Sequence, residues 1–430
     1  PGLYAGALGE LVSALEAALP YVSADQAAYL RPLMRFFRTG ELEAFRDYNR
    51  TWVRSQTPVD VIVGFIEQYI DPLGHRGEFE GTVHIHDRAR SGLMATLAGC
   101  ASYFEQRMPW DSRFSRTKIE VTTAQVSNLI TLAGSTSPFG YAGVNLPNEA
   151  RLREEYGSKS LLIGNIVKQR REVTGDAYMR EFSPSPEAIA RARRHGARAH
   201  ELFVALHEVV GHASGRVDPG LQGEPEDHVR EYYQTLEEAR ADLVALWHVF
   251  DPKLVELGIV SDPEVAEETL WLMLRRVMTL IGQLEVPHAD EDHDRAELMI
   301  FRWLCDRTDG IRMFTFEGKT EWAVQDVRAL HEGVGRLLAE VMRIKATGDY
   351  QAARSLVEGY GVRVEPELHR ELRGRLTSLG VPEHVAFLNP ELTPTYDHDG
   401  RILDITIRYP VDYYAEQTAL SSIFRSAGAR

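Results

Sequence analysis

The sequence His-Glu-Val-Val-Gly-His at 207–212 constrains this chain more than any other feature. Two imidazoles and a carboxylate on one helix can supply two metal ligands and a general base. In the common motif the histidines are four residues apart and share a helix face. Here they are five apart, which places them about 140° apart around a regular helix. Both can reach one metal only if the helix widens locally, as in a π-bulge, and Gly211 tolerates that distortion. Spacing alone leaves a metal site and two unrelated histidines at a helix end equally open.

A second charged segment, Glu-Glu-Ala-Arg-Ala-Asp at 237–242, lies in a later amphipathic helical pattern. A catalytic zinc takes three protein ligands and keeps one position open, and Glu238 can supply the third ligand. Asp242, one turn further, can accept the N–H of a ligand imidazole. Such a charged run is by itself more often a solvated helix face. Together the two segments predict a zinc site.

Composition limits the partners and the cellular compartment that we expect for this chain. The 430 residues carry a formal net charge of -15, which argues against nucleic acid or an anionic membrane as the main partner. The two cysteines form no C-x-x-C pair and indicate a reducing compartment. The first residues lack a basic secretory start, and no apolar run has membrane-spanning length. We therefore expect a cytoplasmic monomer or homodimer without membrane or nucleic-acid partners.

The periodicity of the chain is mainly helical, with exceptions near the ends and in one polar segment. Helices are predicted in 1–60, 88–108, 117–133, 187–345 and 321–381. The segment 60–70 is also helix-like, whereas 82–87 alternates as a strand. Residues 132–148 are rich in Gly, Ser, Pro and Asn and indicate a loop or an irregular edge strand. In the C-terminal tail, the sequence predicts a turn at 399–400 followed by a strand.

The motif pair H-E-x-x-G-H and E-E-x-R-A-[DE] resembles the signature of the dipeptidyl peptidase III family of zinc metallopeptidases. The tail is similar to that of bacterial and plant members, some of which are fused to Nudix domains, so the chain resembles a short bacterial-type member of that branch. The likeness covers roughly residues 40–430. The segments that carry it, besides the two motifs, are 64–81, 142–148, 284–304 and 384–410.

The resemblance implies one zinc ion per chain and a set of residues around it. The ligands would be His207, His212 and Glu238, with Glu237 and Asp242 directly behind them. Glu208 would polarise the metal-bound water and pass its proton to the leaving amine. Tyr69 and His293 would hydrogen-bond the oxyanion, which suits electrostatic stabilisation of a tetrahedral intermediate.

The resemblance also implies a peptide-binding side. Glu67 would bind the free α-amino group, because a carboxylate suits an ammonium. Asn145 and Asn148 would hold the N-terminal end and its backbone, and an Asn-rich edge strand suits addition of an extended peptide. Gly143 and Glu80, in the similar segments, would complete this substrate-binding set.

The implied function is zinc-dependent hydrolysis near the N-terminus of short peptides, most often with release of dipeptides. One departure from the long family members leaves strict dipeptide release open: only about sixty residues precede the segment 64–81. As a further departure, Glu297 stands where those members have an arginine. The alternatives are zinc-dependent hydrolysis of non-peptide amides or esters, and a catalytically silent peptide-binding protein.

The expected fold class is mainly α (α+β), a two-lobed metallopeptidase with the cleft between its lobes. A helical lobe with the zinc site would comprise 88–125 and 176–385. A smaller mixed α/β lobe would comprise 1–87, 126–175 and 386–430.

Overall fold

The computed structural model describes residues 2–67, 77–88, 90–117, 119, 123–148, 152, 155–382 and 385–427. The protein is mainly helical with a mixed sheet, so the predicted α+β class is confirmed. Tyr69 lies outside the described residues. Glu67 is described only as the last residue of a strand.

Helices form most of the described chain, and most lie where their periodicity predicts them. They are α1 (Ala5–Ala18), α2 (Ala24–Thr39), α3 (Leu42–Arg54), α4 (Ser91–Gly99), α5 (Ala101–Glu105), α6 (Gly164–Arg170), α7 (Asp176–Glu181), α8 (Pro186–Leu206), α9 (Pro225–Val229), α10 (Tyr233–His248), α11 (Pro252–Glu256), α12 (Glu264–Gln283), α13 (Asp292–Arg307), α14 (Val327–Thr347), α15 (Tyr350–Tyr360), α16 (Pro366–Leu379) and α17 (Tyr413–Ala427). No helix in this described set is both long and apolar enough to cross a membrane.

The strands form one five-stranded sheet and two separate hairpins. They are β1 (Val59–Glu67), β2 (Glu78–His86), β3 (Thr123–Gly134), β4 (Gly143–Leu146), β5 (Lys159–Ile163), β6 (Ile311–Phe316), β7 (Lys319–Val324), β8 (Glu391–Tyr396) and β9 (Ile402–Arg408). The order in the large sheet is β1-β2-β3-β5-β4, with only β3 and β5 parallel. β4 is therefore an edge strand, as predicted for the polar segment 132–148.

Three helical predictions are wrong. β1 replaces the helix expected in 60–70, β3 replaces the second half of the helix expected in 117–133, and the β6–β7 hairpin interrupts 187–345. These segments are rich in Val, Ile, Thr and aromatic residues, which favour strands. A short apolar run has no periodicity that separates a buried strand from a buried helix. β3 lies between β2 and β5, so it is buried by neighbours that are remote in sequence.

Alternation along β5 places this strand at the boundary between two hydrophobic cores. Leu162 packs into a large cluster formed mainly by α8, α10, α13 and α14. Leu161 and Ile163 point to the other face and join a cluster with α2, α3 and β1, because successive strand residues face opposite sides. A third cluster joins α12, α13 and α16. The division into a helical lobe and an α/β lobe stays a prediction.

A buried ion pair connects β1, at one edge of the large sheet, with β5, next to the other edge. Lys159, the first residue of β5, and Asp60 of β1 are both 0% exposed, and Nζ lies 2.8 Å from a carboxylate oxygen. Nζ also donates to the Ser55 carbonyl oxygen at 3.1 Å, and His86 donates to the same Asp60 oxygen at 2.9 Å. Buried charges are tolerated only when such partners satisfy them, so this network holds β5 and its neighbour β4 in register with β1.

Candidate metal centre

The helix that carries the first motif is widened at the motif itself, as the five-residue spacing of the two histidines requires. α8 begins at Pro186 with Ser185 as its N-cap and ends at Leu206. A π-helix follows from His207 to Gly211, and the His212 amide donates to the His207 carbonyl oxygen at 3.1 Å, five residues earlier. The predicted π-bulge is confirmed. A Cβ on Gly211 would lie 2.8 Å from the Ala241 Cα of α10, so glycine also permits the close approach of the second motif.

Three side-chain atoms converge between the π-helix and α10. The Nε2 atoms of His207 and His212 lie 3.1 Å apart. One oxygen of Glu238, Oε2, lies 3.4 Å from His207 Nε2 and 3.7 Å from His212 Nε2. Ligands at zinc bonding distance in a tetrahedral site are separated by about 3.3 Å. The triangle therefore has the size that a zinc ion requires.

The chemistry of these atoms also fits a cation. His207 Nδ1 donates to Asp242 at 2.8 Å, and His212 Nδ1 donates to Glu237 at 2.8 Å. In neutral imidazoles this tautomer leaves both Nε2 lone pairs facing inward. Glu238 Oε2 is buried and has no hydrogen-bond partner among the described residues. Three electron-pair donors that face one another are stabilised by a positive ion between them.

The electrostatics of the triangle attract positive charge. Burial raises the pKa of Glu238, but the neighbouring imidazoles of His212, His207 and His293 outweigh burial and lower it to about 2. Burial lowers the pKa of His207, yet its hydrogen bond to Asp242 and the nearby carboxylate of Glu238 hold that pKa well above its usual range. The Glu238 carboxylate therefore remains ionised and favours a cation, whether a proton or a metal.

Glu237 is held by two cations and one histidine. Arg240 is 2% exposed and donates through Nη2 to Glu237 Oε1 at 2.6 Å. Its Nη1 donates to the Gly211 carbonyl oxygen at 2.6 Å and to Ser214 Oγ at 2.8 Å, which ties the end of the π-helix to α10. Lys345 of α14 pairs with the other Glu237 oxygen. Burial raises the pKa of Glu237, but these cations hold it well below its usual range.

Glu208 occupies the side of the triangle that faces the sheet. It is 9% exposed, and a Cβ built on Gly143 of β4 would lie 2.8 Å from its Oε1. One ligand atom from each of His207, Glu208 and His212 lies within 4.8 Å of the others, so Glu208 could also reach a metal. The shorter distances to Glu238 favour Glu238 as the third ligand. Glu208 then remains for proton transfer beside the edge strand.

His293 approaches the site from the start of α13. Its Nε2 lies 3.5 Å from Glu238 Oε2, and its Nδ1 donates to Glu291 at 2.7 Å. Burial lowers the pKa of His293, but Glu291 and Glu238 outweigh burial and raise it to about 10. His293 is therefore a cationic donor at the mouth of the site. Glu297, one turn further along α13, pairs with Arg276.

The residues predicted to bind peptide are distributed along the sheet. Asn145 lies in β4, and its Nδ2 donates to Ser158 Oγ at 3.1 Å and to Ser160 Oγ at 2.6 Å. Asn148 Nδ2 donates to the Ile66 carbonyl oxygen at 3.3 Å, which brings the end of β4 to the end of β1, where Glu67 follows.

Glu80 does not fit the predicted role. It is 0% exposed, on the buried face of β2 that it shares with Thr82 and His84. Alternation along the strand turns this face inward, so Glu80 does not line the cleft in this structure.

Sequence reasoning assigned no role to three residues that shape the site: Arg240, Lys345 and Ser160. Arg240 lies inside the second motif, and its position between two carboxylates was an available signal. Lys345 comes from a helix about a hundred residues later, and Ser160 from a strand whose register is set by tertiary pairing. No sequence spacing indicates either contact.

The whole chain can be compared with known proteins. A sequence model described as peptidase family M49 matches residues 1–228. The mouse and human proteins named dipeptidyl peptidase 3 are each 28% identical over 428 residues, covering 86% of this chain and 56% of their own length. The chain thus spans little more than half the length of these curated relatives.

Two solved structures share the fold. The structure of DPP III from Caldithrix abyssi has a TM-score of 0.72 at 22% identity and covers 88% of this chain and 69% of that one. The structure of dipeptidyl-peptidase III from Corallococcus sp. strain EGB has a TM-score of 0.74 at 20% identity, with 89% and 68% covered.

Proposed function

The chain belongs to peptidase family M49, and on this premise we propose that it is a zinc-dependent peptidase acting near the N-terminus of short peptides. The observation that carries the proposal is the triangle of His207 Nε2, His212 Nε2 and Glu238 Oε2, whose edges measure 3.1, 3.4 and 3.7 Å. Such a three-ligand N/O set leaves a fourth position open, as in catalytic rather than structural zinc sites.

The metal and the side chains of the protein would have separate roles in the reaction. Zinc in this site would supply a Lewis acid that polarises the scissile carbonyl and acidifies water. Glu208, between the triangle and β4, takes the proton of the attacking water and delivers it to the leaving amine. His293, with its raised pKa, donates a hydrogen bond to the oxyanion. Asp242 and Glu237 hold the two ligand imidazoles in the required tautomer.

The outer side of β4, the last strand of the sheet in the described part of the chain, is the surface along which an extended peptide would add. A peptide antiparallel to β4 begins near Asn148 and passes Asn145 before it reaches Gly143 beside Glu208. At about 3.4 Å per residue, the span from 148 to 143 accommodates about five residues before the scissile bond. Within this limit we propose removal of dipeptides from peptides with a free amino terminus, as the names of the relatives suggest, with Glu67 as the carboxylate for that terminus.

Hydrolysis of dialanyl 4-methylcoumaryl amide and of tetra-alanine tests this function, with zinc content measured in parallel. We expect about one zinc per chain, activity lost on chelation and restored by zinc, and dialanine as the main product of tetra-alanine. Zinc-loaded protein that cleaves small amides or esters but no peptide would instead indicate a non-peptide hydrolase. Peptide binding without turnover of any substrate would indicate a silent binding protein.

A further inference from the structure

His293 is held by the residue that caps its own helix. Glu291 is the N-cap of α13, and its Oε2 accepts hydrogen bonds from the backbone amides of His293 at 2.9 Å and of Asp294 at 3.1 Å. Its other oxygen, Oε1, accepts from His293 Nδ1 at 2.7 Å. One carboxylate therefore holds both the backbone and the imidazole ring of the proposed oxyanion donor.

Glutamate is an unusual residue for a helix cap. Ser, Thr, Asp and Asn are preferred there, because their short side chains reach the free amides of the first turn. Other described helices of more than ten residues that have a side-chain cap follow this preference, as at Ser23, Ser185, Asp326 and Asp349. The longer side chain of Glu291 caps its helix with one oxygen and reaches the imidazole with the other.

Two carboxylates fix the orientation of the His293 ring. Nδ1 faces Glu291, and Nε2 lies 3.5 Å from Glu238 Oε2, the third atom of the triangle. A ring turned by 180° about its bond to Cβ would place carbon atoms in both positions. An ionised carboxylate only accepts, so the Nδ1 hydrogen points to Glu291. The second N–H of the cationic ring then projects beside the triangle.

The residue between Glu291 and His293 connects this helix start to the helix that carries the third ligand. Asp292 accepts a hydrogen bond from Thr235 Oγ1 of α10, and Thr235 is 0% exposed. Thr235 precedes Glu238 by three residues, which is nearly one helical turn. The backbone of α13 is therefore held against α10, and the ring that Glu291 orients has a defined place beside the metal site.

We propose that Glu291 is a positioning residue that holds the His293 imidazole with its Nε2–H directed at the oxyanion of the tetrahedral intermediate. That contact is strong only when the substrate oxygen carries negative charge, so Glu291 should act on kcat rather than on KM. The role of Glu291 rests on the proposed peptidase function, to which it adds the residue that orients the oxyanion donor.

Glu291→Ser separates the two functions of this carboxylate. Serine is a good N-cap but is too short to reach Nδ1, so the helix start is retained while the ring loses its partner. With dialanyl 4-methylcoumaryl amide and zinc-loaded enzyme, we expect kcat to fall about tenfold to a hundredfold, with KM, zinc content and Tm little changed. Glu291→Ala should lower kcat to the same extent and should also lower Tm, because it removes the cap.

Asp326→Ala is the matched control for loss of a cap. Asp326 caps α14 and accepts a hydrogen bond from the Ala329 amide at 2.9 Å. Lys345, which reaches the site from the same helix, lies about 28 Å further along it. Asp326→Ala should therefore lower Tm and leave kcat unchanged. A fall in kcat equal to that of Glu291→Ala would show that helix loosening alone explains the result, which overturns the proposal.

A double-mutant cycle tests whether Glu291 acts through the imidazole. His293→Ala should lower kcat about a hundredfold to a thousandfold, the usual effect of losing an oxyanion donor. The Glu291→Ser/His293→Ala variant should then have the kcat of His293→Ala alone. Additive losses of kcat would overturn the proposal, as would an unchanged kcat in Glu291→Ser.

A phosphinic analogue of tetra-alanine, whose central phosphinate resembles the tetrahedral intermediate, distinguishes failure of this inference from failure of the proposed function. In calorimetry with zinc-loaded protein, Glu291→Ser should weaken the Kd of the analogue about tenfold. It should leave unchanged the Kd of tetra-alanine measured in a Glu208→Gln background. A weaker Kd for the analogue supports the positioning role even if the wild-type protein hydrolyses nothing. Equal Kd values, with wild-type hydrolysis intact, overturn the positioning role and leave the peptidase proposal standing.

Discussion

The two walls of the candidate site are built in different ways. The metal wall takes its triangle and the carboxylates behind the two imidazoles from two short segments, 207–212 and 237–242, and each imidazole has its own carboxylate partner. The peptide wall takes its residues from the ends of β1, β4 and β5, and backbone pairing with side-chain hydrogen bonds holds them together. The residues of the metal wall are therefore brought together by helical spacing within two short segments. The residues of the peptide wall come together only when the strands of the sheet pair in the correct register. Five substitutions test this difference.

The largest effect is expected for Glu208→Gln on the metal wall. Loss of a general base lowers kcat by about a hundredfold to ten-thousandfold. Zinc content should stay the same, because the ligand triangle does not include this side chain. Kinetics with dialanyl 4-methylcoumaryl amide and metal analysis of the same sample check both statements. Loss of zinc together with activity would show that Glu208, not Glu238, completes the metal site.

The largest effect on the peptide wall is expected for Lys159→Met. The substitution leaves Asp60 as a buried, uncompensated charge, which lowers the free energy of unfolding by about 3–5 kcal/mol. Urea unfolding measures this loss. Lys168→Met is the matched control, because that side chain is 56% exposed in its ion pair with Glu172 and should matter little.

The penalty of Lys159→Met should also shrink as the pH falls. In the wild type, burial raises the pKa of Asp60, but His86 and Lys159 outweigh burial and hold it below its usual value. Without Lys159, only His86 opposes the effect of burial, and we expect the folded-state pKa of Asp60 to rise above the unfolded one. The folded variant then binds more protons than the unfolded chain, so its stability increases toward acid. A penalty that is the same at pH 7.5 and pH 5 would contradict this account.

A smaller effect is expected when the carboxylates behind the metal ligands are neutralised. Asp242→Asn and Glu237→Gln should each weaken zinc affinity about tenfold to a hundredfold, because these groups orient the imidazoles and raise their basicity. Only Glu237→Gln should also lower stability, since it leaves the buried Arg240 and the partly buried Lys345 without their shared anion. Competition with a zinc chelator and thermal unfolding measure the two effects. Equal losses of stability in the two variants would contradict the view that Glu237, but not Asp242, is needed to compensate these cations.

The smallest effect is expected where the two walls touch, with Gly143→Ala. The added Cβ would press against Glu208 Oε1, which is the mobile end of a side chain and can shift. An overpacking cost of about 1 kcal/mol, roughly fivefold in kcat/KM, is reasonable. Gly140→Ala is not a suitable control because Gly140 has a positive φ, whereas Gly81→Ala in β2 meets only ordinary side-chain contacts. Unchanged kinetics would show that β4 does not approach the base in solution.

The metal wall could be read from the amino-acid sequence because its information is local. A spacing of five between His207 and His212 requires a widened helix around one metal, and one helical turn between Glu238 and Asp242 places a ligand beside a supporting carboxylate. These relations follow from helix geometry alone. The mainly helical class followed from periodicity for the same reason.

Only the tertiary structure decided the other wall. β1 and β3 resemble helices in sequence, since an apolar run buried on both sides has no distinctive period, and the sheet that buries them is assembled from remote segments. Register then decided that Asn145 and Ser160 face the metal while Lys159 faces Asp60, because a shift of one residue would exchange the two faces of β5. The sequence identifies the side chains that can bind the metal, whereas long-range strand pairing determines which residues lie opposite them.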